Sequence, residues 1–88
     1  MVLSVDAINR LPLVVTVVVG TKGGNVTRDY PSNVRVSSQE SGLPMETVFL
    51  CFLLRSLDPG RFAGPPAGKI SGVMLEKVAS TARHCLGL

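Results

Sequence analysis

The alternation of hydrophobic and polar residues along the chain predicts several β-strands followed by one helix. The β-branched run Leu13–Val19 is typical of a strand that is buried on both faces or covered by a helix. Asn33–Ser37 alternates polar with apolar residues, which predicts a strand with one solvent-exposed face. Thr47–Leu54 is a second strongly apolar strand, and Met1–Val5 is a short strand or the tail of one. The pattern therefore predicts about four strands.

Glycine, proline and small polar residues separate these strands. Asp6–Arg10 fits a turn or one helical turn, and the segments Gly20–Pro31 and Ser38–Met45 are predicted loops. Asp58-Pro59-Gly60 has the composition of a turn. The neighbouring prolines of Gly64-Pro65-Pro66 exclude regular structure there.

The last segment changes period and predicts a C-terminal amphipathic helix. Ser71 is a suitable N-cap residue, and Gly87 is a suitable stop. Between them, apolar residues recur at helical spacing: Val73, Met74, Val78, Ala82, Cys85 and Leu86. The predicted fold class is thus mainly β with a C-terminal α-helix.

Composition limits the chain to a single domain with a modest basic charge. Its 88 residues are 45% hydrophobic and 17% charged, and the net charge of +3 permits a polyanionic partner without requiring one. Cys51 and Cys85 are too few and too far apart for a disulfide framework or a zinc site, and His84 is the single histidine. We therefore expect no metal, no cofactor, two buried thiols, and neither a signal peptide nor a membrane span.

The segment Gly20–Asn25 changes abruptly from an apolar strand to a basic, glycine-rich tip. Thr21 and Lys22 bring a hydroxyl and a cation to the end of the strand. The segment is not a Walker A motif, because no Gly-Lys-Ser/Thr run leads into a helix. Its backbone amides and Lys22 could still hold a phosphate, and an ordinary hairpin loop is the alternative.

The arginines are scattered through the predicted strands and loops. They include Arg28, Arg35, Arg55 and Arg61. A solvated face is the default interpretation of such a distribution. A basic groove for nucleic acid requires that folding bring several of them together.

The order of short segments along the chain is more informative than any single motif. These segments are Leu3-Ser4-Val5-Asp6-Ala7-Ile8-Asn9, Leu11-Pro12-Leu13-Val14-Val15, Gly20-Thr21, Ser41-Gly42-Leu43-Pro44, Arg55-Ser56-Leu57-Asp58 with Arg61-Phe62, and Gly68-Lys69-Ile70-Ser71. The ordered set spans essentially the whole chain, and it resembles the PemK/MazF family of toxins from type II toxin-antitoxin systems.

The resemblance implies a small SH3-like β-barrel with a C-terminal helix, usually as a homodimer, in the cytoplasm. Family members are metal-independent endoribonucleases that cleave single-stranded RNA (mRNA interferases) by attack of a ribose 2′-hydroxyl on the adjacent phosphate. Thr21 matches the threonine that the family places at its active site, and Lys22, Arg28 and Arg55 are expected to contact RNA. The implied partners are single-stranded RNA, a cognate antitoxin protein and, through the antitoxin complex, operator DNA.

The chain departs from the family pattern in two places. Members normally start with another strand and a Gly-Ser-Glu-Gln loop ending in Arg-Pro, which supplies the catalytic arginine. Residues 1–88 match from the second strand onward, so we expect an N-terminally truncated toxin domain. Phe52 and Leu53 also stand where the family commonly has a polar pair such as Asp-Gln. Three hypotheses remain: an endoribonuclease toxin, a catalytically inactive toxin-like remnant that only binds an antitoxin or nucleic acid, and an unrelated β-barrel interaction module.

We expect the 88-residue chain by itself not to cleave RNA detectably. In-line attack builds negative charge on the phosphate oxygens, and a metal-free site needs fixed cationic donors to stabilise it. Lys22 is a flexible point charge that does not reproduce the bidentate fork of an arginine. The test incubates the chain with a long single-stranded RNA in EDTA, beside a version extended by the family's arginine loop. Discrete products from the unextended chain that vanish on Thr21→Ala would contradict this expectation.

Overall fold

The computed structural model describes residues 1–10, 14–62 and 64–88, and it shows an antiparallel sheet with one long helix. In chain order the elements are α1 (Asp6–Asn9), β1 (Val15–Lys22), β2 (Asn33–Val36), α2 (Ser38–Ser41), β3 (Thr47–Leu57) and α3 (Gly72–Leu86). Two 3₁₀ turns lie at Gly23–Asn25 and Pro59–Arg61. The three strands have the order β1-β3-β2. The predicted fold class, mainly β with a C-terminal helix, is confirmed.

Strand β3 lies at the centre of the sheet and uses its two halves differently. Its first half, Thr47–Leu50, is paired with β2 on one side and with the end of β1 on the other. Its second half pairs with β1 alone. Between the halves the register skips, because Val19 pairs with Leu50 whereas Val18 pairs with Leu54. Residues 51–53 therefore have no partner on β1, an irregularity of the kind that bends and twists a strand.

The first residues of the chain pair with the other edge of β1. Leu3 N donates to Thr16 O at 2.8 Å, and Val18 N donates to Met1 O at 2.8 Å. This pairing amounts to a single bridge between Val2 and Val17, so the strand predicted at Met1–Val5 is wrong as a full element. Helix α1 begins at residue 6 and ends the pairing before a strand can form.

Two predicted boundaries shift because pairing with β3 extends regular structure. Residues 20–22, predicted as the start of a loop, continue β1 by pairing with Phe49, Val48 and Thr47. Strand β3 continues to Leu57 instead of ending at Leu54. The segment after β2, predicted as a loop, contains the single helical turn α2. The predicted start of the first long strand, Leu13, lies outside the described residues.

Helix α3 covers one face of the sheet and completes the core. Ser71 Oγ accepts a hydrogen bond from Met74 N at 3.3 Å, and Gly87 ends the helix with a left-handed φ of +74°. Both predicted caps are confirmed. The core cluster consists of Val18, Val34, Val36, Phe49, Cys51, Met74, Val78 and Ala82. Val73 and Leu86, which were predicted to lie on the apolar stripe, are instead exposed. They lie before and after the three buried residues of the helix, Met74, Val78 and Ala82.

The chain that leads into α3 passes directly over the end of α2 at Gly68. A Cβ atom at this position would lie 2.7 Å from Ser41 O and 2.9 Å from Gly42 Cα. Gly42 itself has a left-handed φ of +76°, so neither backbone segment can move aside easily.

We expect Gly68→Ala to lower the free energy of unfolding by about 1–3 kcal/mol, the usual cost of overpacking. Gly72→Ala is the matched control, because a Cβ there meets nothing within 4 Å and alanine favours the helix. Urea unfolding of both variants measures the difference. Equal stability of the two variants would show that the crossing at Gly68 is not tightly packed.

Candidate functional site

Thr21 lies near the end of β1, opposite Val48 of β3. Its hydroxyl oxygen accepts a hydrogen bond from Asn25 Nδ2 at 3.1 Å. Asn25 belongs to the 3₁₀ turn that follows β1 directly, so the turn folds back over the threonine. A hydroxyl both accepts and donates. Asn25 donates to the oxygen of the Thr21 hydroxyl, and no described residue accepts a hydrogen bond from this hydroxyl. Its hydrogen is therefore left to donate to a ligand.

Arg35 of β2 shares a sheet row with Thr21, because both pair with Val48 from opposite sides. Residues opposite each other on neighbouring strands project to the same face. Thr21 and Arg35 therefore lie on one face of the sheet. Lys22 occupies the next position along β1, which alternation assigns to the other face.

The Arg35 guanidinium binds the turn that holds Thr21 in place. Its Nη1 donates to Gly23 O at 3.1 Å, and its Nη2 donates to Val26 O at 2.7 Å. These carbonyl groups lie on either side of Asn25 in the sequence. Arg35 thereby fixes the segment from which Asn25 reaches the Thr21 hydroxyl.

Two carboxylates complete the surroundings of Arg35. Glu46 Oε1 accepts from Nη1 at 2.8 Å, and Asp29 Oδ1 accepts from Nε at 3.1 Å. These hydrogen bonds, with that from Glu46 the larger, raise the pKa of Arg35 above its ordinary value. The positive charge is locally compensated, so Arg35 acts as a brace for the turn. The sequence assigned Arg35 only to a scattered set of cations, because nothing local links it to residues 23–29.

The structure brings Arg28 close to the Thr21 turn and leaves Arg55 far from it. Asn25, which contacts Thr21, lines the same cavity as Arg28. Arg55 pairs with Val17, which lies four positions along β1 from Thr21, and this corresponds to roughly 13 Å of strand. Lys22, Arg28 and Arg55 are all exposed, and their contact with RNA remains a prediction.

The cavity beside the turn has a volume of about 420 Å³ and contains two exposed aromatic rings. The loop between β1 and β2 contributes Asn25, Arg28 and Tyr30, and β3 contributes Phe52. Phe52 belongs to the skipped residues of β3, and it is 54% exposed while its neighbour Cys51 is buried. The sequence showed Phe52 only as a departure from the family pattern and gave no signal for Tyr30.

A second cavity, of about 750 Å³, lies against the segment before α3. Its walls are largely apolar and include Leu43, Phe62, Pro65 and Ile70. It contains none of the residues predicted to act on RNA.

The remaining reactive groups offer little alternative chemistry. Burial raises the pKa of the Cys51 thiol to about 11, with a smaller contribution from Cys85, so Cys51 is a neutral thiol and a poor nucleophile at pH 7. In the described ranges, no cluster of three or more His, Cys, Asp or Glu could hold a metal ion. None of the helices in these same ranges is long and apolar enough to cross a membrane.

The structure is a mainly β domain, in which a three-stranded sheet lies under a C-terminal helix. A threonine at the end of one strand is held by the turn that follows it. This is the fold class expected from the sequence. Residues 1–86 match the family model described as PemK-like, MazF-like toxin of type II toxin-antitoxin system. The chain therefore belongs to this toxin family, and the resemblance read from its ordered segments is confirmed. No curated protein matches the chain.

We expect Arg35→Gln to loosen the turn that carries Asn25. The shortened side chain cannot reach all four acceptors, so the Val26 amide, which donates to Gly23 O at 3.2 Å, should exchange its hydrogen several-fold faster. Amide hydrogen exchange by NMR measures this rate.

Arg83→Gln is the matched control, because Arg83 pairs with Glu76 at 2.9 Å on the exposed side of α3. Exposed pairs of this kind contribute little to stability. If Arg35→Gln left exchange at Val26 as slow as Arg83→Gln does, the bracing role of Arg35 would be wrong.

Proposed function

We propose that the chain is the toxin component of a type II toxin-antitoxin system and that, in the version extended by the family's arginine loop, it is a metal-independent endoribonuclease of single-stranded RNA. The observation that carries this proposal is the Thr21 hydroxyl at the end of β1. It is oriented by Asn25, and its hydrogen is available to a phosphate oxygen. Membership of the toxin family supports the assignment.

The proposed reaction is an internal transesterification. The ribose 2′-oxygen loses its proton and forms a bond to the adjacent phosphorus, while the bond from phosphorus to the 5′-oxygen breaks. The departing 5′-oxygen takes up a proton. The products are a 2′,3′-cyclic phosphate and a 5′-hydroxyl. Thr21 would donate a hydrogen bond to a non-bridging oxygen, where negative charge increases in the transition state.

Cations around the turn would hold the RNA backbone. Arg28 lines the cavity that also contains Asn25. Lys22 follows Thr21 in the chain but lies on the other face of β1, so it would reach the RNA backbone only around the end of the strand. Arg55, at the other end of the β1–β3 pairing, would contact a more distant part of the strand. Contacts of this type are electrostatic and weaken as salt rises.

The family also suggests the partners of the toxin. We infer a cognate antitoxin protein, a homodimer of this chain, binding of operator DNA through the antitoxin complex, and a place in the cytoplasm. An antitoxin would block cleavage by covering the surface that carries Thr21 and Arg28.

A second candidate function is a catalytically inactive toxin-like protein that only binds an antitoxin or nucleic acid. The observation that favours it is the state of Arg35. This arginine shares a sheet row with Thr21, but two carboxylates and two carbonyl oxygens occupy it. Stabilisation of the phosphorane would then depend on Arg28, because Lys22 lies on the other face of β1. RNA binding without cleavage would distinguish this function from the first.

We expect Thr21→Val to lower RNA cleavage by roughly 10²-fold, the usual effect of removing one stabilising donor. The assay uses the version extended by the family's arginine loop, in EDTA, with the rate expressed per folded molecule. Thr81→Val is the matched control, because the Thr81 hydroxyl only donates to Lys77 O within α3.

An unchanged rate in Thr21→Val would remove the threonine from the mechanism. A lower melting temperature with an unchanged rate would instead assign the hydroxyl to closure of the turn through Asn25.

A further inference from the structure

Two large aromatic side chains lie exposed in the one cavity beside the Thr21 turn. Tyr30 is 52% exposed and Phe52 is 54% exposed, and both line the cavity. Phe52 is one of the residues of β3 that the register skip leaves without a partner on β1. Keeping apolar rings in contact with water is unfavourable, so their grouping in a cavity indicates a ligand that covers them.

The polar groups of the cavity fit a nucleotide. Arg28 supplies a cation for a phosphate. Asn25 and Asn33 also line the cavity, and an asparagine amide has donors and an acceptor that can pair with the edge of a base. No carboxylate is among the described residues that line the cavity. Its volume of about 420 Å³ falls in the range of roughly 300–1,000 Å³ that is typical of small-molecule sites.

We propose that this cavity is a nucleobase subsite. A base of the bound strand stacks on the rings of Tyr30 and Phe52, and its phosphate lies against Arg28. Stacking of bases on aromatic side chains, beside a cation for the backbone, is a general mode of single-strand recognition. The identity of the strand as RNA rests on the proposed function.

The subsite is connected to the predicted catalytic threonine through one residue. Asn25 lines the cavity, and its side-chain amide donates to the Thr21 hydroxyl. A nucleotide held in the cavity therefore has a neighbouring phosphate close to Thr21. Stacking would position the strand for cleavage. The side-chain amides of Asn25 and Asn33 would select the base whose edge pairs best with their donors and acceptors.

The sequence makes this subsite directly measurable. Tyr30 is the single tyrosine, and the chain has no tryptophan, so intrinsic fluorescence comes from the subsite. We would titrate the 88-residue chain with an oligouridylate and, separately, with an abasic ribose-phosphate oligomer of equal length, in EDTA. The oligouridylate should quench Tyr30 and bind about tenfold more tightly than the abasic oligomer, because only it can stack.

Substitution of the second ring provides an independent test. Phe52→Leu keeps an apolar side chain but removes the stacking surface, so we expect the oligouridylate Kd to rise about tenfold. Phe62→Leu is the matched control, because Phe62 is also an exposed phenylalanine, at 45%, but lies outside this cavity. Circular dichroism melts confirm that each variant is folded.

Equal binding of the abasic oligomer, or an unchanged Kd in Phe52→Leu, would overturn the subsite. Quenching by an antitoxin-like peptide with none by RNA would also overturn it, and would make the cavity a protein-docking site. Stacking by RNA, without any Thr21-dependent cleavage by the version extended by the family's arginine loop, would support the subsite and refute the endoribonuclease. Thr21-dependent cleavage without quenching would refute the subsite alone.

Discussion

The register skip in the middle of β3 is the constraint on which the rest of the structure depends. It allows one strand to pair with β1 along both halves while β2 occupies only the first half. Among the skipped residues, Cys51 lies in the core under α3 and Phe52 is exposed on the cavity wall. It also sets the row in which Val48 has Thr21 on one side and Arg35 on the other. Strand pairing thus determines which side chains meet at the candidate site.

Arg35 fixes the turn beside the paired strands and so gives the candidate site a defined geometry. A guanidinium has donors in a fixed planar fork, and here the fork reaches two backbone carbonyls of the turn as well as two carboxylates. The carboxylates of Asp29 and Glu46 keep the arginine in place and compensate its charge. The cost of this arrangement is electrostatic, since the same cation is no longer available to a phosphate. In this chain, the contacts of Arg35 that order the turn therefore reduce the positive charge that is available beside Thr21.

The aromatic cavity and the threonine suggest a division of roles within one small surface. In the functions proposed above, Arg28 and the two rings would hold a strand without any chemistry, and the Thr21 hydroxyl would act only on a phosphate that has been placed beside it. Asn25 belongs both to the cavity, which it lines, and to the surroundings of Thr21, to which it donates a hydrogen bond. In a protein of 88 residues, such sharing is expected, because few side chains can be kept rigid by so small a core.

The sequence alone was sufficient for features that depend on local pattern. The caps of α3 at Ser71 and Gly87 follow from residue type, and the strands follow from apolar runs and alternation. The toxin family followed from the order of short segments, and the match over residues 1–86 confirms it. Thr21 was selected from that resemblance, and its catalytic role remains a prediction.

The tertiary structure decided what depends on contacts between distant parts of the chain. Local propensity placed residues 20–22 in a loop, but pairing with Thr47–Phe49 made them a strand. The salt bridges of Arg35 join residues 6 and 11 positions away, and Tyr30 meets the cavity that contains Phe52 only after β2 and β3 have paired. No local pattern encodes such meetings, because they are set by the register between strands and by the skip in β3.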